Sequence, residues 1–307
     1  MLHSFEDLHR RKEISIKYYL QPQTLKEAIE ILLKHQGRAQ VVAGGTDVIP
    51  ELFRGELQVD VLVDITRISG MESIRVEGKT LWLGGLVTHS QVCSSSLLKE
   101  RALILTEGAG FLGSPQIRNI ATVAGNLISG QPAADTSLPL LALNARVNIF
   151  SERGEREVLL TEFFLEQGRT AIDSRREILT QIRFLALQEN QGGCYLRLST
   201  RRALSLPILA SAAVVDIDPQ KKVFKNVALA IGPVAPIPFR ATRTEAMLRG
   251  ASISKRTIEM AGENASLESS PRSSSLRGSS EYRKEMVSVL VRRSLTQAVL
   301  RAGAPVS

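Results

Sequence analysis

The chain has 307 residues, 43% hydrophobic and 23% charged, a composition that suits a soluble globular protein large enough for two domains. Its formal net charge is +8, and residues 241–307 hold 11 Lys/Arg against 6 Asp/Glu, but no basic run is interleaved with aromatics, which argues against nucleic-acid binding. Two cysteines, a polar opening (MLHSFEDLHRRKE) and no apolar run of about 20 residues argue against a disulfide framework, a cysteine-held iron–sulfur centre, a signal peptide and a membrane span, and lead to the expectation of a cytoplasmic protein.

In chain order, residues 1–13 read as a loose leader and Ile14–Leu20 as a strand, broken at Gln21-Pro22. Thr24-Leu25-Lys26-Glu27 has the capping-box pattern, in which the Thr24 hydroxyl accepts from an orphan amide and Glu27 reaches back. Leu25, Ala28, Ile29, Leu32 and Leu33 then share one helical face, and Gly37 stops the helix. Val41-Val42 resumes as a strand and runs into a glycine turn, Ala43-Gly44-Gly45-Thr46-Asp47.

Val59–Ile65 and Thr80–Gly85 read as strands, and Ser90–Ala109 as mostly helical. Gly113-Ser114-Pro115 punctuates the chain before a second small-residue turn, Ala121-Thr122-Val123-Ala124-Gly125-Asn126. Leu138–Asn144 forms a short apolar helix, and Arg146–Phe150 with Val158–Leu160 a hairpin around Arg153-Gly154. Glu177–Phe184 and Tyr195–Ser199 alternate like exposed strands, Ile208–Ile217 reads as a central strand, and Val223–Ile231 as its neighbour. Helices begin at Thr242, the serine-rich stretch 264–280 reads as a mobile loop, and Glu281–Arg301 is a final helix. Strands followed by helices, without a regular βαβ repeat, predict an α+β fold.

The two turns carry the chemistry. Gly44 and Gly45 lack a Cβ, so they tolerate positive φ and let backbone amides close on an anion such as a diphosphate, with Thr46 adding a hydroxyl. Asp47 would repel phosphate, so it caps the next turn or accepts from a hydroxyl. Asn126 offers donors and an acceptor to a ring edge or a sugar. Asp135 either accepts from ligand hydroxyls or caps the helix that follows, and Arg118 pairs with a phosphate or a carboxylate, a structural ion pair included. The spacing is not G-x-G-x-x-G, and no Gly-Lys-Ser/Thr is present, which disfavours the classical dinucleotide fold and an NTPase. Of the four histidines only His89 follows a glycine-ended strand and stands near a ligand position; none has metal spacing, and no serine or cysteine has a nucleophile-elbow setting. A cradle without an acid, base or nucleophile suits a redox cofactor that brings its own chemistry.

VVAGGTDVIPEL, and ATVAGN followed by PAADTSLPLLAL, resemble the two FAD-binding segments of the molybdenum hydroxylase flavoproteins, the FAD (medium) subunits of the xanthine dehydrogenase and carbon monoxide dehydrogenase type. YLQPQTLKEAIEILLKH resembles the family's opening helix, and YLRLSTRRALSLPILASAAVV, IGPVAPIPFRATRTEAMLRG and EYRKEMVSVLVRRSLTQAV its C-terminal domain. The resemblance implies a PCMH-type FAD-binding domain over 8–185, with lobes of about 8–64 and 65–185, and an α+β C-terminal domain of antiparallel sheet and helices over 190–303. It implies FAD contacts from Val42, Ala43, Gly44, Gly45, Thr46 and Asp47 in the first lobe and from Thr122, Ala124, Gly125 and Asn126 in the second. Leu112 would pack on the isoalloxazine ring and Asp135 would bind the flavin's polar chain or nucleotide side. Ala124 stands where the family more often has glycine. The expected partners are a small subunit with two [2Fe–2S] clusters and a large molybdopterin subunit, in a dimer of heterotrimers. Electrons would pass through FAD to NAD+ or another acceptor. The alternative is a self-contained FAD-dependent oxidoreductase of the same fold.

Overall fold

The computed structural model describes residues 16–201 and 204–306; the expected leader at 1–13, the first two residues of the expected strand 14–20, and His3 and His9 lie outside the described residues. The first lobe is built from β1 (Tyr18–Leu20), α1 (Leu25–Lys34), β2 (Ala39–Val42), α2 (Val48–Arg54) and β3 (Val61–Asp64), followed by a 3-10 turn at Ile65–Arg67. Its sheet runs β1-β3-β2 and is parallel throughout. The alternating connections that the whole chain lacks are thus present within this lobe. Thr24 Oγ1 accepts from Glu27 N at 3.1 Å, while Glu27 Oε2 reaches one residue further back than a capping box requires, to Gln23 N at 2.8 Å. The helix buries Ala28, Ile29 and Leu32 on the sheet and turns off through Gln36 and Gly37, both at positive φ.

The second lobe is a five-stranded sheet in the order β4-β5-β10-β6-β7, with β4 (Ile74–Glu77), β5 (Thr80–Gly84), β6 (Arg146–Ser151), β7 (Gly154–Leu159) and β10 (Ile178–Leu185) antiparallel to their neighbours. Helices fill the long excursion between β5 and β6: α3 (His89–Ser94), α4 (Ser96–Arg101), α5 (Leu103–Gly110), α6 (Pro115–Ile120), α7 (Val123–Ile128) and α8 (Ser137–Ala142). A one-turn helix α9 (Leu160–Phe163) and a two-stranded ribbon, β8 (Phe164–Glu166) and β9 (Arg169–Thr170), precede β10. The segment 90–109 is mostly helical, as expected, and is divided into three helices: Ser95 leaves helical geometry and caps α4, accepting from Leu98 N at 3.2 Å, and Ala102 breaks the chain again before α5. The strand expected to be exposed at 177–184 is instead central, because β5 and β6 flank β10 on its two edges and buried apolar residues cover one face. Its outer face carries Arg183, which sandwiches Trp82 together with Arg75, at 5.5 and 5.1 Å from the ring.

The C-terminal part is an antiparallel sheet, β11 (Gln191–Leu198), β12 (Leu209–Asp218), β13 (Val223–Gly232) and β14 (Phe239–Arg240), followed by α10 (Thr242–Leu248), α11 (Lys255–Glu268) and α12 (Ser280–Arg301). Residues alternate between two cores. Ala210, Ala212, Ala228 and Ala230 join the core of the second lobe, while Leu209, Ala213, Val215, Leu229 and Ile231 pack with α11 and α12. The small face admits α5 and α8 closely, so this sheet is covered on both sides; of the strand expected to be exposed at 195–199, Tyr195 is buried and residues 196–199 are partly buried.

The serine-rich stretch is only in part a loop. Residues up to Glu268 belong to α11, and the rest is pinned: Ser280 Oγ donates to Pro271 O at 2.7 Å, and the buried Arg283 donates to Arg272 O at 2.6 Å and to Pro233 O. Among the described residues no helix is long and apolar enough to cross a membrane.

Candidate functional site

The ends of β2 and α6 bring the two lobes together. A Cβ on Gly44 would lie 1.9 Å from the carbonyl oxygen of Ile120, so only glycine allows the first turn to rest on the second lobe. The absence of a side chain at Gly44 therefore serves the lobe–lobe contact directly. Gly45 has φ +68°, which lets the chain turn back into α2. A second tie forms where Gln40 Nε2 donates to Ser174 Oγ at 2.9 Å and Val41 N to Ser174 O at 3.3 Å.

Between these contacts lies a cleft of about 430 Å3, the size of a small-ligand site. Ala43, Gly44, Gly45, Thr46 and Asp47 line it from the first lobe; Leu112, Thr122, Ala124, Gly125 and Asn126 line it from the second. Among the described residues, the amides of Gly44, Gly45, Thr46 and Asp47 donate to no backbone carbonyl, and neither does that of Ala124. A run of four such amides in the first lobe and one in the second thus belong to residues lining the same cleft, an arrangement that suits an elongated anionic ligand.

Side-chain bonds set the second turn. Thr122 Oγ1 caps α7 by accepting from Gly125 N at 3.0 Å. Thr136 Oγ1 donates to Asn126 Oδ1 at 2.5 Å, which leaves the Asn126 amide hydrogens to donate into the cleft. Ala124 is buried in the core of the second lobe, so its methyl group is accommodated by packing. Arg118 forms no ion pair among the described residues; it donates to Leu112 O at 2.9 Å and fixes the residue that enters the cleft.

Two predicted positions stand outside the lining. Val42 is buried between β2 and α2, packed with Leu52, Val59 and Leu62. Asp135 lies in the seam with the C-terminal sheet, where Tyr195 Oη and Arg197 Nη1 each donate to its carboxylate at 2.6 Å. Burial raises the Asp135 carboxyl above its usual range, opposed by Arg197 and Tyr195. Asp47 does not cap α2, because its side chain makes no capping bond; burial raises its carboxyl, partly offset by Arg54.

Other lining residues come from segments without a glycine motif: Gly85 after β5, Glu51 on α2, and Glu177 to Leu179 at the start of β10. His89 also lines the cleft and is fully buried. Its Nδ1 lies 2.8 Å from Ala121 O and so carries the proton that this carbonyl accepts, and Nε2 has no partner among the described residues. Burial pushes the imidazole from 6.5 down to about 4, so it is neutral at physiological pH. Among the described residues no cluster of three metal-ligating side chains occurs.

A family model described as the FAD binding domain in molybdopterin dehydrogenase matches residues 12–184, and one described as the CO dehydrogenase flavoprotein C-terminal domain matches 194–298. The chain belongs to this family of FAD-binding medium subunits of molybdenum hydroxylases, and it is an oxidoreductase subunit. It is 30% identical over 287 residues to the xanthine dehydrogenase FAD-binding subunit of Escherichia coli O157:H7, covering 93% of this chain and 97% of that one. It is 28% identical to the carbon monoxide dehydrogenase medium chain of Hydrogenophaga pseudoflava, covering 92% and 97%. A solved carbon monoxide dehydrogenase chain from that organism superposes with a TM-score of 0.88 at 28% identity, over 93% of this chain and 98% of its own. FAD is the cofactor of this chain; in the family, the iron–sulfur clusters and the molybdenum cofactor belong to partner subunits.

Proposed function

We propose that this chain receives electrons from the iron–sulfur clusters of a small partner subunit, which drains a molybdopterin large subunit, and passes them through FAD to NAD+ or another acceptor. The observation that carries this reading is that one cleft is lined by the four consecutive residues Gly44 to Asp47 and by Ala124, whose amides donate to no backbone carbonyl among the described residues. That cradle fits the pyrophosphate of FAD, and Leu112, fixed by Arg118, offers an apolar surface to a flat ring. FAD, when bound, supplies the exchange between single electrons and a hydride.

The chain's own residues bind and orient. The first turn and the second turn hold the pyrophosphate from opposite sides, and the Asn126 amide donates to the ligand's polar chain. His89 keeps the Ala121 carbonyl in place. Asp135, with its carboxylate occupied by Tyr195 and Arg197, anchors the C-terminal sheet beside the cleft. Substrate oxidation is assigned to another subunit.

The test is reconstitution. The purified chain should bind FAD in equimolar amount and be reduced quickly by the organic substrate only when both partner subunits are added. Rapid substrate turnover by the chain alone, or failure of the folded chain to take up FAD, would overturn the proposal.

A further inference from the structure

A second groove, of about 610 Å3, lies between α11 and α12. These helices run antiparallel and are tight at one end, where a Cβ on Gly262 would lie 2.8 Å from Ser288 O and Ser266 Oγ donates to Lys284 O at 2.9 Å. Toward the start of α11 they part. Lys255, with Ile258 and Glu259 three and four residues on, lines the groove from α11, and Val289, with Arg292 and Arg293 at the same spacing, from α12; Leu196 of β11 and Val306 complete the lining.

The groove is built for a particular kind of ligand. Lys255, Arg292 and Arg293 border it, and none makes an ion pair or hydrogen bond among the described residues. Among the described residues Glu259 is the one carboxylate side chain in the lining, so the side chains leave two positive charges in excess. Arginine forks match phosphate oxygens, and the apolar part of the lining suits a ring or alkyl body. The volume lies within the range of small-ligand sites.

The groove is also separate from the flavin cleft. Tyr195 and Arg197 point to Asp135 in the second lobe, while Leu196, between them, points to the helices. The C-terminal sheet therefore stands between the two sites.

We propose that this groove binds a small organic phosphate with an apolar body, a dianion matched to the two excess charges. The proposal is independent of what occupies the flavin cleft.

The experiment is calorimetric titration of the FAD-loaded chain with naphthyl phosphate, with naphthol and inorganic phosphate as half-ligands. One saturable site is expected, and each half-ligand should bind at least about tenfold more weakly. The Arg292→Gln/Arg293→Gln variant should lose at least about tenfold in affinity, and Glu259→Gln should gain about twofold. Lys255→Gln, at an exposed position, gives an independent reading if the double variant fails to fold. The flavin absorbance should not change during the titration. Undiminished affinity in the folded charge variants would overturn the proposal. So would inorganic phosphate binding as tightly as the full probe, a flavin spectral shift that tracks binding, or loss of the site on assembly with the partner subunits.

Discussion

Arg197 reaches out of the C-terminal sheet to the carboxylate of Asp135, at 2.6 Å, with 2% and 7% of the two side chains exposed. The same guanidinium donates to Phe111 O at 3.2 Å, to Ser205 O, and stands 5.3 Å from the Phe111 ring. It therefore holds the residue before Leu112, at the mouth of the cleft, and the C-terminal domain in one bond network. Arg197→Met strands a buried carboxylate and should cost about 3–5 kcal/mol of stability. Arg197→Met combined with Asp135→Asn should cost clearly less than the sum of the single changes. Denaturant titration of the four proteins checks this, and additive effects would refute the coupling.

Gly44→Ala puts a methyl group against the Ile120 carbonyl at 1.9 Å, and both partners are backbone. The lobes must separate to relieve the contact. A loss of at least about 2 kcal/mol of stability is expected. FAD affinity should fall as well, because the two turns move apart. Thermal melts of apo and FAD-loaded protein would show a smaller gap between them than in the wild type; an unchanged gap would count against a role for lobe contact in binding.

Ala124→Gly tests the departure from the family pattern. The Ala124 methyl is buried in the core, so its removal should cost about 1 kcal/mol, through packing and the entropy of glycine in α7. FAD affinity should stay within about twofold, since the donating amide is unchanged. A large gain in affinity would show that the methyl group obstructs the ligand.

His89 sets a pH dependence. Its imidazole titrates at about 4 in the folded protein against 6.5 for an unperturbed one, so the unfolded chain binds the proton more readily. The stability from keeping it neutral is fully present above pH 6.5 and is lost as pH falls toward 4. The full loss is up to about 3 kcal/mol. His89→Asn keeps a donor for Ala121 O but has no titratable group. Stability of the FAD-free variant between pH 7 and 4 should fall less steeply than the wild type's, by up to about one proton's worth of slope. Identical slopes would assign the acid sensitivity elsewhere.

The short-range patterns were the legible part of this fold. The cap at Thr24, the apolar face of α1, the two long strands β12 and β13 and the glycine turns all follow from neighbours within a few residues. The placement of β10 was hidden because Thr180, Gln181 and Arg183 read as a solvent face. In the fold, Arg183 covers Trp82 and ion-pairs with Glu157, and Thr180 bonds Asn148 O at 3.2 Å. The turn residues of the cleft were found from composition and resemblance, but Glu51, Gly85 and Glu177 carry no local signal. The partners of Asp135 are 60 and 62 residues away, on a strand whose facing no short pattern reveals. The reason for Gly44 was equally hidden, because the carbonyl it must clear belongs to Ile120 in the other lobe.

The alternation of alanines with larger residues along β12 and β13 has a consequence for how the chain unfolds. One face completes the core of the second lobe and the other the core under α11 and α12. A cut between β10 and β11 would leave two raw apolar surfaces, neither able to close on itself. The second lobe and the C-terminal part therefore share a core. Heat or denaturant should melt them in a single transition, and neither half should persist as a native fragment after proteolysis of the connection.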